Sequence, residues 1–95
     1  MAAYAIVDLE VYDIEAYLAY QQALRPVLDA FGGSYLARGG PFKVFVGDYQ
    51  PRRLILVEFP SLADIEAFFA SPAYQALEAQ RQACSDGRMI GVEGL

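Results

Sequence analysis

The sequence predicts an α+β domain in which a four-stranded antiparallel sheet carries helices on one face. Three observations lead there. The stretch Arg52–Pro60 is apolar on both alternating faces, with Arg53, Ile55, Val57 and Phe59 on one side and Leu54, Leu56 and Glu58 on the other. A strand with one solvated face alternates apolar and polar residues, so apolar residues on both faces mean cover on both. The segment Ala3–Val11 alternates as a second strand, with Ala5, Val7, Leu9 and Val11 on one side and Tyr4, Ile6, Asp8 and Glu10 on the other. Helix signals follow each of these two strands. The element order then reads strand, broken helix, strand, strand, broken helix, strand, two similar halves about residue 50, which is the ferredoxin-like βαββαβ pattern. Its first and third strands are central, matching the two most apolar segments here.

Each element has its own local cause. Asp13 is placed to cap the first helix, because its carboxylate can accept free N–H groups of the first turn. Ile14, Tyr17, Leu18, Leu24, Leu28 and Phe31 recur at helical spacing. Pro26 predicts a kink or break near Arg25, since proline removes an N–H and disfavours helical geometry in the residue before it. Gly32-Gly33 ends the helix. Ser34–Arg38 reads as a short strand, interrupted by Gly39-Gly40-Pro41 and resumed over Phe42–Val46 as one bent edge strand. Pro60-Ser61 opens the second helix, with Ser61 as N-cap and Asp64 as its partner. Ser71-Pro72 is a second start signal. Asp86-Gly87 is read as a turn and Arg88–Glu93 as the last strand.

Composition narrows the function. The 95 residues form one domain, 1–95, with 7 basic and 12 acidic residues and a net charge of -5. Nucleic acid and anionic membranes are bound through clustered Lys and Arg, so neither is expected as a partner. At 56% hydrophobic residues the chain is too apolar for a disordered acidic tail. No run of about 18 apolar residues is available to span a bilayer. With no secretory signal legible at Met1-Ala2-Ala3-Tyr4, a cytoplasmic location is expected. Cys84 is the one cysteine, and His and Trp are absent. That removes imidazole metal ligands, a proximal-histidine haem site and Ser-His or Cys-His dyads. Asp8 and Glu10 share a strand face without a third ligand, so no metal site is expected. A tightly bound cofactor is not expected either.

Taken together, Asp13 with Tyr17 and Tyr20, Gly32-Gly33, Arg38-Gly39-Gly40, Gly47, Arg53, Glu58-Phe59-Pro60-Ser61, Ser71-Pro72-Ala73-Tyr74, Arg81 and Glu93-Gly94 form a specific set. On these residues the chain resembles, over nearly its whole length, the bacterial domain of unknown function 1330 family. That family lies within the dimeric α/β-barrel superfamily. Phe69 stands where a tryptophan is often found in such proteins. The resemblance implies a homodimer with the ferredoxin-like fold and no assigned reaction. Other members of the superfamily include cofactor-free monooxygenases and haem enzymes. Haem ligation by histidine cannot transfer to a chain that has none.

The candidate site residues are Glu58, Arg38, Arg53, Tyr17 and Tyr74. Glu58, among apolar neighbours on a central strand, reads either as a desolvated general base or as half of an ion pair with Arg38 or Arg81. Arg38, beside Gly39-Gly40, could fork a carboxylate or enolate oxygen, or simply flank a bulge. Arg53 carries the same two readings at a strand end. Tyr17, with Tyr20 three residues on, and Tyr74 could line a cavity between helix and sheet or serve as core. An Arg38–Glu58 pair at the floor of a small pocket is the sharpest expectation. Three function classes follow. One is a cofactor-independent enzyme acting on a small acidic, carbonyl or phenolic compound; the others are a small-ligand-binding module and a structural dimer. Dimerisation is expected through sheet-to-sheet packing, hiding an apolar face such as Ala5, Val7, Leu9 and Val11.

Overall fold

The computed structural model describes residues 1–95. In chain order it contains β1 (Ala3–Val11), α1 (Ile14–Ala30), β2 (Ser34–Arg38), β3 (Leu54–Phe59), α2 (Leu62–Ala70), α3 (Pro72–Cys84) and β4 (Ser85–Glu93). The sheet is antiparallel in the order β2-β3-β1-β4, so the two most apolar strands are the central ones. All three helices lie on one side, and the molecule measures 36 × 35 × 17 Å, one helix layer on one sheet.

Capping follows the side-chain chemistry. Asp13 accepts from the Ala16 N–H at 3.2 Å. Ser61 Oγ accepts from the Asp64 N–H at 3.1 Å and donates to the Asp64 carboxylate at 2.7 Å. Ser71 ends α2 and starts α3: its Oγ donates to the Phe68 carbonyl and accepts from the Tyr74 N–H. Such caps are the reason two short helices can meet at one residue.

Three expectations need correction. The helix α1 runs unbroken through Pro26. Pro26 is exposed, so the carbonyl freed one turn earlier can be hydrated rather than orphaned. Residues 42–46 form no strand; Gly40–Arg52 makes no backbone–backbone hydrogen bond at all. There is also no turn at Asp86-Gly87, because β4 starts directly at Ser85 and pairs with β1 as far as Val11↔Ser85. Gly87 allows this pairing: a Cβ built there would stand 2.0 Å from the Asp8 carbonyl oxygen.

The core lies between sheet and helices. Ala3, Ala5, Val7 and Leu9 of β1 and Ile55, Val57 and Phe59 of β3 are buried there, with Tyr17, Tyr20, Leu28, Ile65, Phe68 and Tyr74 from the helices. Ala5, Val7 and Leu9 therefore face the helices, not the bare side of the sheet. The bare side is set out in rows by the register. Ala37, Leu56, Ile6 and Ile90 form an apolar row across all four strands, flanked by the row Ser34, Glu58, Tyr4 and Val92 and by the row Leu54, Asp8 and Arg88. Ile90 and Val92 are 58% and 47% exposed, so an apolar row meets solvent in the isolated chain.

Candidate functional site

The helix side of the sheet contains an apolar cavity of about 40 Å³ between α1, α3 and the centre of the sheet. Its walls include Tyr17, Tyr20, Gln21 and Leu24 of α1, Tyr35 of β2, Tyr74 of α3 and Met89 of β4. That volume holds about one water. Gln21 and Tyr35 are shared with an outer cleft of about 330 Å³, which Leu18, Gln22, Arg25 and Arg38 complete. The apolar cavity and the open cleft thus share the side chains of Gln21 and Tyr35.

The phenols share one electrostatic character. Burial, then neighbouring Tyr74, pushes the Tyr20 hydroxyl far above the usual tyrosine range. Burial, then Glu78, pushes Tyr74 up to about 12. Burial also raises Tyr35. All three remain protonated at neutral pH and act there as hydrogen-bond donors; Tyr74 already donates to the Met89 sulfur at 3.6 Å.

The cations gather at the other end. Arg53 shares the helix-side face with Ile55, and its guanidinium carbon lies 5.4 Å from the centre of the Tyr17 ring. Gly39 also lies against it, and a Cβ there would come within 2.6 Å of the guanidinium. Gly39 has φ +73°, a conformation glycine adopts without strain. The Arg53 Nε is buried and has no hydrogen-bond partner, and no carboxylate pairs with the side chain. Arg38 stands opposite Ile55, two residues beyond Arg53 on the neighbouring strand, with its guanidinium 4.8 Å from the Tyr35 ring centre. Arg25 reaches the same ring at 6.0 Å and pairs with Asp29 at 3.4 Å on the surface.

Of the residues singled out from sequence, Tyr17, Tyr74, Arg53 and Arg38 are thus brought to one side of the sheet. Glu58 is not. It stands on the bare face opposite Tyr4 and Ser34, half-buried, and forms no ion pair with Arg38 or Arg81. The reason is parity: Arg38 opposes Ile55 and points with it toward the helices, whereas Glu58 points with Leu54 and Leu56 away from them. Arg81 instead binds Glu78, one turn earlier on α3, at 2.6 Å.

The Arg81 hydrogen bond, with help from Tyr74, holds the Glu78 carboxyl below its usual range against the opposing effect of burial. A depressed carboxylate pKa adds stability above the unfolded value, and this is lost as pH falls through the folded one. Glu78→Gln should therefore lower Tm near neutrality, with the difference from the parent shrinking below the ordinary value of 4.5. Melting curves across the acid range check this; a constant difference would exclude the ion pair as its cause.

Residues with no local sequence signal also shape the region. Asp8, 8% exposed, accepts from the Tyr49 hydroxyl and from the Arg52 and Arg53 N–H groups at 2.8 and 3.4 Å. Burial alone would raise its pKa, but these donors and Arg88 together hold it below the usual range. Asp8 thereby ties the incoming end of β3, and so Arg53, to β1. No group of three His, Cys, Asp or Glu side chains is gathered to hold a metal ion. No helix is long and apolar enough to cross a membrane.

Comparison with solved structures places this architecture among known folds. A protein of unknown function from Rhodopseudomonas palustris superposes with a TM-score of 0.78 at 23% identity, over 99% of this chain and 82% of that one. The cofactor-independent oxygenase SnoaB from Streptomyces nogalater gives a TM-score of 0.68 at 6% identity, covering 99% and 93%. A dimeric ferredoxin-like protein of unknown function from Jannaschia gives 0.58 at 19% identity, covering 100% and 99%. These likenesses establish the α+β ferredoxin-like fold. No curated protein matches the chain. The model of the domain of unknown function DUF1330 matches residues 2–95, and the chain belongs to that family.

Proposed function

We propose that the chain is a homodimeric, cofactor-independent protein that takes up a small aromatic or enolic acid in the outer cleft beside Tyr35 and Arg38, about 330 Å³ in volume, with its anionic group toward Arg53. The observation that carries this reading is Arg53. A guanidinium with a buried, unpartnered Nε, packed near both Tyr17 and Gly39, keeps unused donors. Leaving such a donor unsatisfied costs free energy, which a bound oxyanion would recover. Arg38, the diagonal neighbour, supplies a second positive charge, and the protonated phenols supply donors to a ring oxygen.

The lining consists of donors and apolar groups. The outer cleft can hold an anion that arrives already formed, and it contains no carboxylate to remove a proton. Turnover in such a site would run on the substrate's own electrons, as in a cofactor-free oxygenation; the fold shared with the oxygenase from Streptomyces nogalater is compatible with that chemistry. The same donor-only lining also suits a binding module without turnover. Oxygen consumption with product formation distinguishes the two.

The dimer is read from the bare sheet face. Leaving the apolar row of Leu56, Ile6 and Ile90 in water costs about 25 cal/mol per Å², and a two-fold partner packed sheet to sheet would hide it. The dimeric relative from Jannaschia supports this.

Calorimetric titration with 2-hydroxybenzoate and its neutral counterpart 2-hydroxybenzamide tests the binding reading. The acid should bind and the amide bind at least tenfold more weakly, since a charge-assisted bond to Arg53 is worth about 1.5–3 kcal/mol. Arg53→Met should erase the difference while leaving the dimer mass unchanged. Equal affinity for acid and amide, or full binding by Arg53→Met, would overturn the reading.

A further inference from the structure

We infer that the segment Phe42–Val46 is an arm that docks on a second copy of this chain, pairing its backbone across the subunit boundary. Phe45 and Val46 are 88% and 93% exposed, more than any other apolar residue of the chain interior. Phe42 and Val44 are exposed too. The composition Phe-Lys-Val-Phe-Val is that of a strand, yet across Gly40–Arg52 no backbone group pairs with another backbone group. Exposed, apolar and unpaired, this is strand chemistry without a sheet.

A second copy is the occupant for two reasons. The return leg of the arm is rooted on the bare sheet face, where Asp8 accepts from Tyr49 and from the Arg52 N–H, and where Arg88 lies 5.5 Å from the Tyr49 ring centre. Whatever covers that face therefore meets Tyr49 and Arg52, on which the arm returns to the sheet. Face and arm also belong to every copy, so one two-fold contact covers both faces and both arms, whereas an unrelated partner would have to match each separately. The inference rests on the sheet-to-sheet dimer and adds to it an exchanged segment, making the arm part of the assembly and not a surface loop.

Hydrogen exchange of the full chain, at concentrations where light scattering reports dimer and after dilution to monomer, tests this. The 42–46 amides should exchange roughly 100-fold more slowly in the dimer and lose that protection on dilution. The double variant Phe45→Asp/Val46→Asp, altered only at exposed positions, should keep its circular dichroism spectrum. Its dimer dissociation constant should rise roughly 30-fold or more, as expected for two interface anchors. A dimer whose arm amides exchange freely, or a variant that dimerises like the parent, would overturn the arm while leaving the sheet-to-sheet dimer standing. A monomer at all concentrations would overturn both.

Discussion

Phe59→Ala is expected to destabilise the fold by about 3–5 kcal/mol, the usual loss when a fully buried phenylalanine is truncated. Phe59 is 1% exposed at the end of the central strand β3. Its ring lies 5.4 Å from that of Phe68, which in turn meets Phe31 at 6.0 Å and Tyr74 at 5.0 Å. Truncation would open a hole beside Phe68, whose ring is held in place by Phe31 and Tyr74 and so cannot readily collapse into it. Urea unfolding followed by circular dichroism checks the magnitude. A loss below about 1 kcal/mol, the scale of a single methylene, would mean that this aromatic cluster is loosely packed.

Gly39→Ala is expected to separate fold from binding. The residue has φ +73°, where an L side chain costs about 1–2 kcal/mol. Its new Cβ would fall 2.6 Å from the Arg53 guanidinium. The struck atoms are the far end of a flexible side chain, so the domain should fold with that modest loss while the guanidinium swings away from Tyr17. Affinity for 2-hydroxybenzoate should then drop to the level of Arg53→Met, although Arg53 itself is untouched. Retained affinity in this variant would show that the enclosed position of Arg53 is not the binding position.

Much of the fold is legible in the sequence because its causes are local. Caps at Asp13, Ser61 and Ser71 need only a side-chain oxygen and the next turn, and two-faced apolar strands identify the centre of the sheet. What is not legible is non-local. Leu54, Leu56 and Glu58 alternate with Ile55, Val57 and Phe59, and both sets are largely apolar. Alternation alone leaves open which set meets the helices, and the inference that Glu58 lies over a pocket fails there. The enclosure of Arg53 depends on Gly39 of the neighbouring strand, and Asp8 finds Tyr49 across 41 positions of chain. Phe42–Val46 has the composition of a strand but no partner within its own chain. Tyr17 and Tyr74 were recognisable as an aromatic lining, whereas Tyr35, on a five-residue strand, carries no periodic signal.

The most direct measurement follows the Arg53 side-chain Nε–Hε resonance by NMR while 2-hydroxybenzoate is titrated into the protein. A buried donor that gains an oxyanion partner should move downfield in saturable proportion to ligand and exchange more slowly with water, with no such change for 2-hydroxybenzamide. An Arg53 resonance that stays in place while the acid binds elsewhere would contradict the assignment of Arg53 as the anion-binding group.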